Sequence, residues 1–73
     1  MDEIDFMLRG EHIALDALLK ATGLAESGGR ARALITDGQV RVDGQTELRK
    51  TCKLRAGQQV SLGDVRVRVR GAG

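Results

Sequence analysis

Within the six residues Ser27-Gly28-Gly29-Arg30-Ala31-Arg32 the chain offers a hydroxyl, two positions without side chains and two guanidiniums. If a helix starts here, the combination is an anion site. The first amides of a helix have no partner inside it and carry the positive end of its dipole. Gly28 and Gly29 leave room for a phosphate to approach those amides, and Arg30 and Arg32 add charge beside them. Further cations follow at Arg41 and in the run Arg49, Lys50, Lys53 and Arg55, and Lys20 precedes them.

Other chemistries fail on inventory. The chain has one His and one Cys, too few for a zinc site. Ser27 has only His12 to draw on as a base. Cys52 lies among cations, which would lower the pKa of an exposed thiol, but a cysteine nucleophile also needs a base and an oxyanion hole. Cys52 is read as a small packing residue. The SGG stretch lacks the G-x-x-x-x-G-K-[ST] pattern of a nucleotide-binding loop. No catalytic residue, metal or cofactor is expected.

The 73 residues make one domain, spanning 1–73. A domain of this size buries only about 60% of the surface of its unfolded chain, so its core is thin. Net charge is +2, but residues 1–11 carry four acids against one base and residues 12–73 carry eleven bases against six acids. A basic body behind an acidic start points to a polyanionic partner, with a merely solvated basic surface as the plain alternative. Phe6 is the only aromatic residue. Modules that read unstacked bases do so on Phe, Tyr or Trp, so binding here has to use phosphates, shape and arginine. A lone cysteine, an acidic start and no apolar run near the roughly 20 residues of a membrane span predict a cytoplasmic protein without a membrane partner.

The elements that would position these cations read as follows. Ile4, Phe6 and Leu8 alternate with Asp5, Met7 and Arg9, predicting a short half-buried strand over 4–8, with residues 1–5 frayed. Ile13, Leu15, Leu18 and Leu19, with Ala14 and Ala17, fall at helical spacing and predict a helix over roughly 15–22. Lys20 lies in its last turn, and Gly23 stops it. Ser27 is the N-cap of a second helix running to about Asp37. Ala31, Leu34 and Ile35 are its buried stripe, and Arg30 and Arg32 lie about 100° either side of Ala31. Gly38 ends it, and the two helices form a helix–turn–helix-like corner.

Val40 and Val42 then alternate with Arg41, Asp43-Gly44 signals a hairpin turn, and Thr46-Glu47-Leu48 returns. Leu48 and Leu54 are expected to anchor the basic run between them. Val60 and Leu62 give another strand, and Gly63-Asp64 a turn. Val65, Val67 and Val69 face inward against Arg66, Arg68 and Arg70 outward. Those three arginines either keep an open sheet face soluble or touch a polyanion. Residues 71–73 are a loose tail. The fold class is α+β: two short helices packed on a mainly antiparallel sheet of about five short strands.

The order I-x-L-D-x-L-L-K, S-G-G-x-A-x-x-L-I-x-x-G-x-V-x-V-D-G, R-K-x-x-K-L-x-x-G-x-x-V resembles the RNA-binding domain first named for ribosomal protein S4. More closely, it is similar to the small stand-alone bacterial members of that family, the YbcJ type. The match covers about residues 6 to 69 of the chain. The resemblance implies an alpha-L motif, in which two helices and a hairpin present a basic face to structured RNA. It implies RNA contacts at Ser27, Gly28, Gly29, Arg30, Arg32, Arg41, Arg49, Lys50 and Lys53, and Lys20 joins them as a further candidate contact. The expected partner is ribosomal or transfer RNA, with the ribosome or RNA-modifying machinery behind it, bound by a monomer. Three positions depart from the family pattern. Gly28 stands where many members have arginine, Ala14 where arginine is frequent, and Asp43 where asparagine is common. The alternative function is a protein-interaction module docking an acidic partner. A further arrangement has Asp2, Glu3 and Asp5 folded over the basic face in competition with RNA.

Overall fold

A computed structural model describes residues 2–71. Its elements are β1 (Asp2–Met7), β2 (Ile13–Ala14), α1 (Leu15–Ala21), α2 (Gly28–Thr36), β3 (Val40–Val42), β4 (Gln45–Thr46), β5 (Lys53–Leu54), β6 (Gln59–Leu62) and β7 (Val65–Arg70). Five strands form one sheet in the order β1-β7-β6-β3-β4, and β2 and β5 make a separate antiparallel ribbon. The expected α+β class, with helices against a mainly antiparallel sheet, is what the chain adopts.

The helices form for local reasons. Leu15, Leu18 and Leu19 put three fully buried side chains on one face of α1, each worth about 1.5–3 kcal/mol on burial. Gly23, at φ 80°, donates its amide to the Lys20 carbonyl and closes the helix. The Ser27 hydroxyl accepts the Arg30 amide at 3.1 Å and starts α2. Ala31, Leu34 and Ile35 form the buried stripe of α2, and Gly38, at φ 77°, ends it.

Asp43 and Gly44 both take positive φ, 52° and 85°, so a two-residue type I′ turn joins β3 to β4. Asp43 does more than turn. One carboxylate oxygen accepts the Gln59 amide at 3.0 Å and the other the Gln58 side-chain amide at 3.3 Å. A carboxylate can accept at both oxygens where asparagine has only one acceptor, which gives a physical reason for Asp43 in this turn.

Val40, Val42, Val60, Val67 and Val69 point from one sheet face into a single core with the leucines of α1 and the stripe of α2. Register keeps them together: Val42 opposes Val60, Val60 opposes Val67, and Val67 opposes Ile4. The other sheet face is polar and lies away from both helices.

The structure corrects four expectations. Residues 2–5 do not fray; they belong to β1, which pairs in parallel with β7, while Met1 and residues 72–73 of the expected tail lie outside the described residues. Ile13 is not part of the α1 stripe but pairs with Leu54 in the β2–β5 ribbon. Leu48 is 58% exposed and anchors nothing, whereas Leu54 is fully buried. Glu3 and Asp5 do not cover the helix face; they pair with the β7 arginines on the polar sheet face, while Asp2 stands opposite Val65 on the other face of β1.

Candidate nucleic-acid interface

At the start of α2 the amides of Gly28 and Gly29 are in no hydrogen bond among the described residues, while Ser27 takes up Arg30 and Ala31. The Arg32 guanidinium reaches back along the helix to Gly28. A Cβ on Gly28 would sit 3.4 Å from Arg32 Nη1, so the space beside the cap already holds a cation from the next turn. Arg32 is steered there by Asp16, whose carboxylate lies 3.6 Å from Nη1. Asp16 belongs to the first turn of α1, so this ion pair crosses from one helix to the other.

The basic loop after β4 docks on the same corner. No side chain caps α1. Its leading amides, Leu15 and Asp16, instead donate to the carbonyls of Cys52 and Lys50 at 2.9 and 3.0 Å. The loop thereby replaces a cap, and the Lys50 backbone is bonded to Asp16, a member of the Asp16–Arg32 pair. Lys20 follows Asp16 by one helical turn and shares its face. Arg30 leaves α2 about 200° round from Arg32 and borders the N-terminus from the far side. Lys20, Arg30, Lys50 and Lys53 are exposed and, among the described residues, have no ion-pair partner.

Arg49 is more constrained. Its Nε and Nη2 bind the two carboxylate oxygens of Glu47 at 3.0 and 3.2 Å, and its amide also donates to Glu47. The Arg49 hydrogen bonds hold the Glu47 carboxyl at about 2, well below its ordinary 4.5. Cys52, half-buried behind Arg49, has its thiol pushed up, chiefly by burial and then by the Glu47 charge, with Arg49 opposing. The cations around Cys52 therefore do not activate it: desolvation outweighs them, and its side chain packs against the core.

Of the ten candidate residues, the fold gathers Ser27, Gly28, Gly29, Arg30, Arg32, Lys20 and Lys50 around the α1–α2 corner. Arg49 and Lys53 flank it on the docked loop. Arg41 does not join them. Val40 and Val42 face the helices, so Arg41 emerges on the opposite face of the sheet. There it shares a surface with Arg66, Arg68 and Arg70. Three of the five ion pairs among the described residues join β1 to β7: Glu3 with Arg66 and Arg68, at 3.7 and 3.4 Å, and Asp5 with Arg70 at 3.1 Å. The β7 arginines are thus largely compensated within the fold.

Sequence reasoning did not single out Asp16, Glu47, Glu3 or Asp5 as organisers of these cations. Only the last two left a trace, in acids at odd positions of β1 matching a strand of alternating arginines. That β1 lies beside β7 is not written locally.

Comparison with known proteins supplies the family. The sequence model of the S4 domain matches residues 6–70. "Putative RNA-binding protein YbcJ" of Escherichia coli (strain K12) is 50% identical over 58 residues, covering 80% of this chain and 83% of that protein. "Uncharacterized protein YbcJ" of Shigella flexneri matches with the same identity and coverage. The solution structure of E. coli YbcJ, described as revealing an alpha-L motif involved in RNA-binding, superposes with a TM-score of 0.68 at 43% identity, covering 96% of this chain and 87% of that one.

Proposed function

The chain belongs to the S4 domain family, and on that premise we propose that it is a non-catalytic RNA-binding protein. It grips folded RNA, of ribosomal or transfer type, through phosphates at the α1–α2 corner. One observation carries the reading: two unpartnered amides open the α2 N-terminus, the Arg32 guanidinium lies beside Gly28, and the Lys50 backbone is docked on Asp16, the partner of Arg32. Amides at a helix start and clustered cations are the groups that bind phosphate. Lys20, Arg30 and Lys53 extend the charge, and Arg49, already neutralised by Glu47, contributes less. The descriptions of the E. coli relative and its structure name RNA, which favours this reading over a module for an acidic protein. The protein acts as a monomer in the cytoplasm, beside the ribosome or RNA-modifying enzymes.

A labelled structured RNA titrated at several salt concentrations tests the proposal. Each phosphate neutralised steepens the slope of log K against log salt by about 0.7–0.9. Four or more cations at the corner therefore predict a slope near −3 or steeper, and weaker binding to duplex DNA of equal length. No binding at low salt, or a flat slope, would refute it.

A further inference from the structure

The polar face of the sheet, on the far side from the α1–α2 corner, carries a cross-strand row: Thr46, Arg41, Ser61, Arg66 and Glu3, one from each strand from β4 to β1. Residues in register on adjacent strands project from the same face. Strands lie about 4.8 Å apart, so Arg41 and Arg66 leave the backbone about 10 Å apart with Ser61 midway. Both side chains are long enough to converge over the Ser61 hydroxyl, and the three line one open cleft. Gly44 and Gly63 stand at its rim, and nothing lies within 4 Å of where their side chains would be. The approach is clear.

The charge on this face is uneven. Arg68 and Arg70 are held by Glu3 and Asp5 at 3.4 and 3.1 Å. Arg66 reaches Glu3 only at 3.7 Å, and Glu3 keeps Arg68 if Arg66 lets go. Among the described residues, Arg41 has no ion-pair partner and the Ser61 hydroxyl is in no hydrogen bond. Glu3 is three strands from Arg41, about 14 Å, beyond the roughly 8 Å screening length of physiological salt. The β1 acids thus neutralise one edge of the face and leave positive charge and free donors at Arg41 and Ser61.

We propose that Arg41, Ser61 and Arg66 form a second phosphate site, which takes a backbone phosphate of the same folded RNA. This rests on the RNA-binding reading above and goes beyond it, because the site faces away from the α1–α2 corner. The molecule is 34 × 24 × 21 Å, so two sites on opposite faces meet backbone segments roughly the width of the domain apart. A folded RNA presents two such segments to a protein lodged in a cleft between them. A short extended strand does not.

The test compares the wild type with Arg41→Gln/Arg66→Gln, with Ser61→Asp and with the corner variant Lys50→Gln. Each is titrated with a folded RNA and with a single strand of equal length, after circular dichroism has established that it is folded. Ser61→Asp removes no arginine and leaves the Glu3–Arg68 and Asp5–Arg70 pairs in place, so it stands if the double variant loosens the sheet. For folded RNA the sheet-face variants lower the salt slope by about 0.7–0.9, one phosphate, and the loss adds to that of Lys50→Gln. For the single strand they leave the slope unchanged. Wild-type slope and affinity in both sheet-face variants would overturn the second site while leaving the corner intact; a wild type that binds no RNA would overturn both. Inorganic phosphate at constant ionic strength is the remaining arm. If it saturates the Ser61 amide shift while the RNA slope stays unchanged in the variants, the site takes free phosphate and the proposal is wrong.

Discussion

Gly28→Arg tests directly whether the α2 N-terminus faces RNA. Many S4-like domains carry arginine directly after the capping residue, and here that position is glycine. The backbone does not demand glycine, since Gly28 is absent from the residues with positive φ. The nearest obstacle to a Cβ is Arg32 Nη1 at 3.4 Å, the tip of a flexible side chain that is half exposed. Replacing glycine in the first turn gains up to about 1 kcal/mol of helix propensity. A cation near a helix N-terminus loses about 0.3–1 kcal/mol against the dipole. The two roughly cancel, so stability should hardly change. Affinity should change, because one more cation faces the phosphate. The salt slope should steepen by about 0.7–0.9, which is about five- to eightfold between 1 M and 0.1 M salt. Fluorescence anisotropy with a structured RNA reads the affinity, and chemical denaturation reads the stability. Gly28→Gln is the control, with the propensity gain and no charge. If Gly28→Arg folds normally and binds no more tightly at low salt than Gly28→Gln, the α2 N-terminus does not face RNA.

Three further outcomes follow from the same geometry. Ser27→Ala removes the acceptor of the Arg30 amide and should cost about 1 kcal/mol, a fall in Tm of about 4–8 °C for a domain this small; an unchanged melt would mean the cap is dispensable. Glu47, at about 2 in the folded chain against an ordinary 4.5, contributes stability that is fully present above pH 4.5 and fades as the pH falls through 2. The stability gap between wild type and Glu47→Gln should therefore close over that interval, and a gap constant with pH would contradict the Arg49 pairing. Cys52, its thiol raised by burial, should react with iodoacetamide at pH 7 more slowly than free cysteine, and an equal or faster rate would contradict its packing role.

What could be read from the chain was what its local pattern encodes. The α2 helix was legible because Ser27, the Ala31–Leu34–Ile35 stripe and Gly38 mark its start, face and end. The β7 strand was legible because valine and arginine alternate without a break. The two-residue strands β2 and β5 have no room for a period, so Ile13 reads with the helical spacing that follows it although it pairs with Leu54. The parallel pairing of β1 with β7 brings together residues more than sixty positions apart, and no turn chemistry announces such a contact. Leu48 looked like an anchor because leucine usually is one, yet only Leu54 reaches the core.

At the site, residue types and the cap were readable, but their grouping was not. Arg32 reaches Gly28 because Asp16 on another helix steers it, and Lys50 arrives because its carbonyl serves the start of α1. Arg41 is different. Its alternation with Val40 and Val42 already implied that it points away from whatever the valines cover. Since the valines cover the helices, the sequence held its separation from the corner, and only the assumption of a single basic face hid it.

Amide chemical-shift mapping of the wild-type protein with a structured RNA tests the central claim most directly. The amides of Gly28, Gly29, Arg30 and Lys50 should shift and saturate together with the RNA. Saturable binding that leaves those four amides unmoved would contradict it.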